Sequence, residues 1–292
     1  MKTFSMPVSA VNSRECPCVV CGSLVFKPVL ECEGFNFVRC RLCGLVQRNP
    51  QPDKNEIIKR YNSTFGNDYL SYEIENEAAF LKLQQLALKD VKFARLEKKL
   101  FKQINADANT NLNAPCILDI GCATGSLLED LNKRGWSVTG VEISPCAEYA
   151  REKRKLNVKS DTLEECNFSD SSFDVVHASH LIEHLNDPKI FLQEVYRVLK
   201  EKGHLFITTP NINGFQARLF RGQWRSAIFD HLYLFSDRTL IKLLKTAGFK
   251  IVKCRTWGGL AAGSAPKWIK KPADFLVKQF GCGDVMIVHA KK

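Results

Sequence analysis

Nowhere in its 292 residues does the chain hold an apolar run approaching the roughly 18 residues of a spanning helix, which excludes a helical membrane span. Residues 1–14 lack the apolar stretch of a secretory signal, so the expected address is the cytoplasm. No internal repeat is visible. Acidic residues are in deficit, 31 against 42 basic ones, and the formal charge of +11 invites a nucleic-acid or membrane-surface reading. What is present is otherwise ordinary. Hydrophobic residues make up 45% and charged residues 25%, which rules out wholesale disorder. The length suggests one domain of about 200 residues with a smaller appendage.

Cysteine is abundant, with twelve residues. Without an export signal a disulfide framework has no support. Cys116, Cys122, Cys146, Cys166, Cys254 and Cys282 stand singly and read as small buried or half-buried apolar residues. The front group differs. Cys18-Val19-Val20-Cys21-Gly22 and Cys40-Arg41-Leu42-Cys43-Gly44 are two C-x-x-C-G knuckles separated by 18 residues, a spacing that suits a four-thiolate zinc site. Two thiolates three residues apart can face one tetrahedral ion, and the glycine permits the turn beneath it. Four thiolates leave no open coordination position, so the zinc at Cys18, Cys21, Cys40 and Cys43 is expected to be structural. It also carries a net −2, which brings +11 to about +9. Cys16 could replace Cys18, but only Cys18 completes a knuckle. Short strands are expected at residues 24–26 and 35–38.

Asn49-Pro50-Gln51-Pro52 breaks the chain, and residues 75–104 carry a helical pattern with Phe80, Leu83, Ala87, Phe93 or Ala94, Leu100 and Ile104 on one side. Residues 105–115 read as a linker. Beyond Cys116 strands and helices alternate: strands at 117–120, 138–141, 173–178, 205–208, 250–252 and 285–288, with helices at 126–134, 145–155, 188–199 and 237–247. Asp187 caps one helix with Pro188 at its first position, and Ser236 caps another. This alternation predicts an α/β fold with a mostly parallel sheet and helices on both faces.

The first strand runs into Asp119-Ile120-Gly121-Cys122-Ala123-Thr124-Gly125. A dinucleotide loop would need glycine also at positions 123 and 126, where Ala123 and Ser126 stand, and Asp119 would oppose a pyrophosphate. Glu142, 23 residues past Asp119, closes the second strand, where it can accept hydrogen bonds from ribose hydroxyls. Two carboxylates, a small-residue loop and no phosphate cradle describe S-adenosylmethionine, a nucleoside with a sulfonium and an ammonium group.

From residue 117 to 291 the chain resembles the class I S-adenosylmethionine-dependent methyltransferases. The resemblance rests on Ile117-Leu118-Asp119-Ile120-Gly121, Phe173-Asp174-Val175-Val176, Leu181-Ile182-Glu183-His184-Leu185, Arg197-Val198-Leu199-Lys200 and Thr209-Pro210-Asn211. Asp230-His231-Leu232 and Ala247-Gly248-Phe249 look like a subgroup acting on small molecules and glycans. The two knuckles with Cys43-Gly44-Leu45-Val46 look like a zinc-binding extension of some bacterial members. Ala123 departs from the usual glycine. The resemblance implies a Rossmann-like seven-stranded sheet at 115–292, a zinc-ribbon-like module at 1–50 and a helical connector and lid at 51–114. It also implies that Asp119, Gly121, Ala123 and Gly125 hold the methionine end and Glu142 the ribose. Asp161, Thr162 and Leu163 would border the adenine, and the stretch from His177 through Ser179 to His180 would close over the sulfonium.

A hydroxyl acceptor needs a base. If the segment after the fourth strand is helical, His180, Glu183 and His184 share one face. Some quinone-precursor O-methyltransferases hold a divalent metal there, with an acid where His180 stands. His231 is the other base candidate. Trp224 and Phe229 either line an acceptor pocket or simply pack. The expected function is O-methylation of a small molecule or glycan. An RNA methyltransferase and a non-catalytic scaffold stay open. Against RNA, residues 179–182 lack the Asn/Asp-Pro-Pro-aromatic tetrapeptide of base-amine methylation, and the basic residues form no single stripe.

Overall fold

The computed structural model describes residues 13–32, 34–53, 64–106, 114–259, 268, 272 and 277–292. At the front, β1 (Ser13–Arg14) precedes the first knuckle. A ribbon of β2 (Phe26–Cys32) and β3 (Phe35–Cys40) then carries the chain to the second. β4 (Val46–Arg48) returns along β3, and β5 (Gln51–Pro52) pairs with β1. Leu24 and Val25, expected in a strand, stay exposed outside it, because the ladder starts where Phe26 faces Cys40. Pro52 sits at a sheet edge, the place where a missing N–H is tolerated.

The single helix expected at 75–104 is two. α1 (Thr64–Asp90) and α2 (Phe93–Ala106) meet at Lys92, whose φ of 64° stops the helical ladder. The turn folds α2 back, so that Phe93 and Leu96 join Ala87, Leu88 and Val91 on one face of the sheet. Trp136 is the centre of that layer. Its ring stacks on Phe93 at 5.6 Å, and its Nε1–H donates to Glu97 at 2.8 Å. Residues 107–113 of the expected linker lie outside the described residues.

The rest alternates as the sequence predicts. In chain order come β6 (Cys116–Ile120), α3 (Ser126–Lys133), β7 (Ser137–Val141), α4 (Cys146–Arg154) and β8 (Val158–Lys159). Then follow β9 (Phe173–Ser179), α5 (Pro188–Val198), β10 (Leu199–Pro210) and α6 (Phe215–Phe220). β11 (Tyr233–Leu234), α7 (Asp237–Thr246), β12 (Lys250–Trp257) and β13 (Val285–Lys291) complete the chain. The seven-stranded sheet has the order β12-β13-β10-β9-β6-β7-β8, and only β13 runs against its neighbours. Leu118, Val175, Val176, Phe206 and Ile207 are closed to solvent, as strands covered on both faces must be. β10 is longer than its apolar stretch because β9 and β13 pair along it on either side. Asp187 Oδ1 accepts from the N–H groups of Lys189 and Ile190, and Ser236 forms a capping box with Thr239. The strand order reverses between β6 and β9, and it is beyond the carboxyl ends of strands at such a switch point that open α/β sheets bind their ligands.

The front module does not stand apart. β11, from the segment between α6 and α7, is the edge strand of the module's own sheet, ordered β11-β4-β3-β2. Cys18, Val20, Cys40 and Leu45 belong to the same buried cluster as Leu118, Val176, Leu232 and Tyr233.

Candidate functional site

The two knuckles bring four sulfurs together. Cys18 Sγ lies 3.4 Å from Cys43 Sγ and Cys21 Sγ 3.5 Å from Cys40 Sγ, and all four fall within 4.8 Å of one another. A tetrahedron with Zn–S bonds of about 2.3 Å has edges of about 3.8 Å, so the set fits one ion. Each knuckle closes on its glycine: the N–H of Gly22 donates to Cys18 O at 2.7 Å, and that of Gly44 to Cys40 O at 3.0 Å. Burial raises Cys18, assisted by its thiol neighbours, against backbone N–H donors. At Cys40 burial also pushes upward, but the backbone N–H groups of Cys43 and Leu42 prevail and bring it down to about 6. None of the twelve cysteines forms a disulfide.

At the switch point the loop after β6 curls through left-handed conformations at Gly121, Ala123 and Gly125, with φ of 70°, 47° and 76°. Gly125 is the most constrained, since a Cβ there would stand 2.7 Å from Leu156. Ala123 tolerates its φ because its N–H donates to Glu142 Oε2 at 3.0 Å. The other Glu142 oxygen accepts from Ser144 N–H at 2.8 Å. Burial keeps this carboxyl above its ordinary range, although those N–H donors oppose it. Asp119 is buried and accepts from His177 Nδ1–H at 2.7 Å. The loop, Glu142 and Asp119 are therefore grouped as expected. Of the expected adenine border, Asp161 is exposed, Thr162 donates to Glu165 at 2.8 Å, and Leu163 packs in the main core. Ser179 ends β9 opposite Thr208.

α1 supplies groups that the sequence reading missed. Glu77 accepts from the Thr124 hydroxyl at 2.7 Å and pairs with Arg154, which also holds Glu129. One turn earlier, burial lifts the Glu73 carboxyl to about 7; a bond from Tyr69 opposes this and the charge of Glu142 adds to it. The four-residue spacing of Glu73 and Glu77 on one helical face was the available signal. The carboxylates of Asp119, Glu142 and Glu73 around a small-residue loop suit a nucleoside ligand carrying positive charge.

Past β9 the segment is a single 3-10 turn, Ile182–His184, rather than a helix. His180 precedes it with φ of 53°, so the three side chains share no helical face, although His180 Nδ1 still comes within 3.3 Å of Glu183 Oε1. His180 is half exposed, Glu183 fully buried and His184 half-buried. His231 joins them from the segment before β11, and the His184 and His231 rings meet edge to face at 4.7 Å. Each ring is tied through Nδ1–H to a carbonyl, His184 to Asp230 at 3.0 Å and His231 to Ser226 at 2.8 Å. The unprotonated nitrogen of each neutral ring is then Nε2. Burial lowers His231 to about 3, with the neighbouring His184 acting in the same direction. Glu183 Oε2 accepts from Thr209 at 2.9 Å, whereas Oε1, 3.3 Å from His180 Nδ1, has no well-formed hydrogen bond. Burial pushes Glu183 upward, but His180, with His184 and His231, brings it to about 2. Glu183, His184 and His231 offer donor atoms within 4.8 Å of one another, a set able to hold a divalent ion.

Trp224 and Phe229 serve the front module. Trp224 is buried with Leu30, Phe37, Val46 and Leu234, and Phe229 stands against Phe35 and Arg48.

Comparison with known proteins identifies the family. Residues 38–254 match a family described as a methyltransferase domain. The mitochondrial ubiquinone biosynthesis O-methyltransferase of Rattus norvegicus is 34% identical over 138 residues, 43% of this chain and 39% of that protein. The ubiquinone biosynthesis O-methyltransferase of Rickettsia akari is 31% identical over 118 residues, 38% of this chain and 47% of its own length. The chain thus spans less than half the length of these curated relatives. Among solved structures, a SAM-dependent methyltransferase of Thermotoga maritima, titled a possible histamine N-methyltransferase, is similar with a TM-score of 0.50 and 25% identity. That match covers 73% of this chain and 96% of the other. Among the described residues no helix is long and apolar enough to cross a membrane.

Proposed function

The chain belongs to the methyltransferase-domain family, and from that premise we propose that it methylates a hydroxyl oxygen of a small-molecule acceptor with S-adenosylmethionine as donor. The relatives named as O-methyltransferases support oxygen as the accepting atom. The carrying observation is the position of His184. Its turn follows Leu181, whose side chain lies 3.5 Å from where a Cβ on Gly121 would be, so the turn abuts the cofactor loop. Its Nδ1–H is committed to a carbonyl, leaving Nε2 as the proton acceptor.

Bound S-adenosylmethionine supplies an electrophilic methyl group on a sulfonium. The chain must align it with the acceptor and keep water away, since in-line geometry sets the rate. Glu142 would take the ribose hydroxyls, and the 121–125 loop and Asp119 the methionine end. α1, latched through Glu77 to Thr124, would cover the crevice. His184 Nε2 would take the hydroxyl proton that the acceptor oxygen gives up on accepting the methyl group. Neutral His231 holds the His184 ring edge to face. The half-exposed His180, at the mouth, has no assigned proton.

A second reading is favoured by the Glu183, His184 and His231 donor set: a divalent ion there would acidify a bound hydroxyl directly. The two readings part under brief chelation that leaves the four-cysteine zinc in place. Transfer that persists supports the His184 base; transfer lost and restored by Mg²⁺ or Mn²⁺ supports the ion. The reading as a whole is tested with methyl-labelled cofactor and a panel of catechols, simple phenols, sugars and RNA. A labelled methyl ether on a small hydroxyl acceptor is the expected product. Label on RNA alone, with salt-sensitive binding, overturns it.

A further inference from the structure

The zinc module has no part in the chemistry above, yet its link to the acceptor side is direct. Three residues past Cys43 the chain enters β4, which pairs with β11, Val46 opposite Leu234 and Gln47 opposite Tyr233. β11 begins two residues after His231. The ladder continues beyond the strands. Arg48 N–H donates to Leu232 O at 2.8 Å, and Leu232 N–H donates to Glu183 O at 2.8 Å. One chain of main-chain bonds therefore runs from the second knuckle, through Arg48, to the turn that carries His184.

The Arg48 side chain grips the same segment again. It is 6% exposed, its Nη1 donates to Phe229 O at 2.8 Å, and its guanidinium carbon lies 3.9 Å from the centre of the Phe229 ring. Phe35, from β3 of the zinc module, stands edge-on to Phe229 at 5.7 Å. The stretch 229–232 is thus held at both ends by one residue. Between the two grips lie His231 itself and the Asp230 carbonyl that accepts from His184 Nδ1–H.

We infer that Arg48 is the positioning residue of the acceptor-side histidines, and that the zinc module serves the reaction by carrying it. This rests on the reading of His184 and His231 as the acceptor side. A planar guanidinium can donate to a carbonyl while lying on an aromatic face; an ammonium cannot reproduce both contacts. The zinc ion fixes the knuckle, the knuckle fixes β4, and β4 with Arg48 fixes the ring orientations at the histidine pair. The module would be structural in its metal chemistry and catalytic in its consequence.

The test compares Arg48→Lys and Arg48→Met with the parent in the full chain. Four quantities are read: zinc content, S-adenosylmethionine affinity by calorimetry, amide exchange over 226–236 and methyl transfer to 3,4-dihydroxybenzoate. The expected result keeps one zinc per chain and cofactor affinity within about twofold, because neither site touches Arg48. Exchange of residues 229–234 accelerates about tenfold or more while 116–141 stay protected. Turnover falls about tenfold to a hundredfold with cofactor KM unmoved, and Arg48→Lys recovers part of the loss. Unchanged exchange at 229–234 in both variants overturns the inference. So does loss of protection throughout the chain together with cofactor binding, which makes Arg48 a residue of the general core. If the parent methylates no hydroxyl acceptor, the functional reading falls, while exchange and zinc content still decide whether Arg48 holds this segment.

Discussion

Among the described residues, two clusters of potential metal ligands contrast in almost every respect. The cysteine cluster takes its four sulfurs from two tight turns close in sequence, all of one chemistry and within 4.8 Å of one another, a set that fits one tetrahedral ion. The Glu183, His184 and His231 cluster joins residues nearly fifty positions apart. Each of its histidines spends one nitrogen on a backbone carbonyl and keeps the other available. A closed thiolate set can only hold a fold together, whereas an open set of one carboxylate and two imidazoles can hold a metal or move a proton. The β4–β11 ladder joins the two, so the closed site can support the open one.

The largest expected effect comes from breaking the closed site. Strong chelation, or Cys40→Ser, should release one zinc per chain and lower the melting temperature by more than about 10 °C, since structural zinc carries folding energy outright. Zinc loss without a change in melting would end the contrast. Next comes the cofactor end, which should be separable from both clusters. Glu142→Gln should weaken S-adenosylmethionine binding about tenfold to a hundredfold in calorimetry, the size of a lost charged hydrogen bond, with zinc content unchanged.

A second pair of histidines shows what contact alone does not make. His204 Nδ1 and His289 Nε2 lie 2.9 Å apart behind Phe206, away from any crevice carboxylate named above. Burial lowers His204 to about 4, with Lys291 and Lys99 adding, and His289 to about 3, with His204 and Lys253 adding; Asp174 opposes at His204. In the unfolded chain both take up protons near pH 6.5. Between those limits the unfolded state binds more protons, so stability falls as pH drops below about 6.5, by up to about 1.4 kcal/mol per pH unit for each histidine. Urea midpoints at pH 7.5 and 5.0 should show this slope, and His289→Phe should flatten it.

The smallest effect belongs to the cofactor loop. Ala123 holds a φ of 47°, where glycine carries no Cβ penalty. Ala123→Gly should leave the Glu142 contact intact and raise stability by no more than about 1 kcal/mol in denaturant titration.

What could be read in the sequence was whatever local spacing encodes. The C-x-x-C-G knuckles, the Asp187-Pro188 cap, the Ser236 cap and the strand–helix alternation each depend on neighbours within a few residues, and each appears. The break at Lys92 was hidden because the periodicity of buried residues survives the turn. The β4–β11 pairing, the Arg48 grip on Phe229, the Asp119–His177 bond and the Glu77–Thr124 latch join residues far apart in sequence, for which one sequence carries no sign. His184 and His231 were both singled out as base candidates, but their edge-to-face contact was not, since it follows from how β11 enters the front module's sheet.

The central claim is that His184 takes the proton from a hydroxyl acceptor at the mouth of the cofactor crevice. It is tested by labelled methyl transfer to a catechol acceptor, in parallel for the parent and His184→Gln, with cofactor affinity measured on both. The account predicts a labelled methyl ether from the parent and a loss of turnover of about a hundredfold or more in the variant, at unchanged cofactor affinity. Equal turnover in the two proteins, or a parent that labels no hydroxyl acceptor, would contradict it.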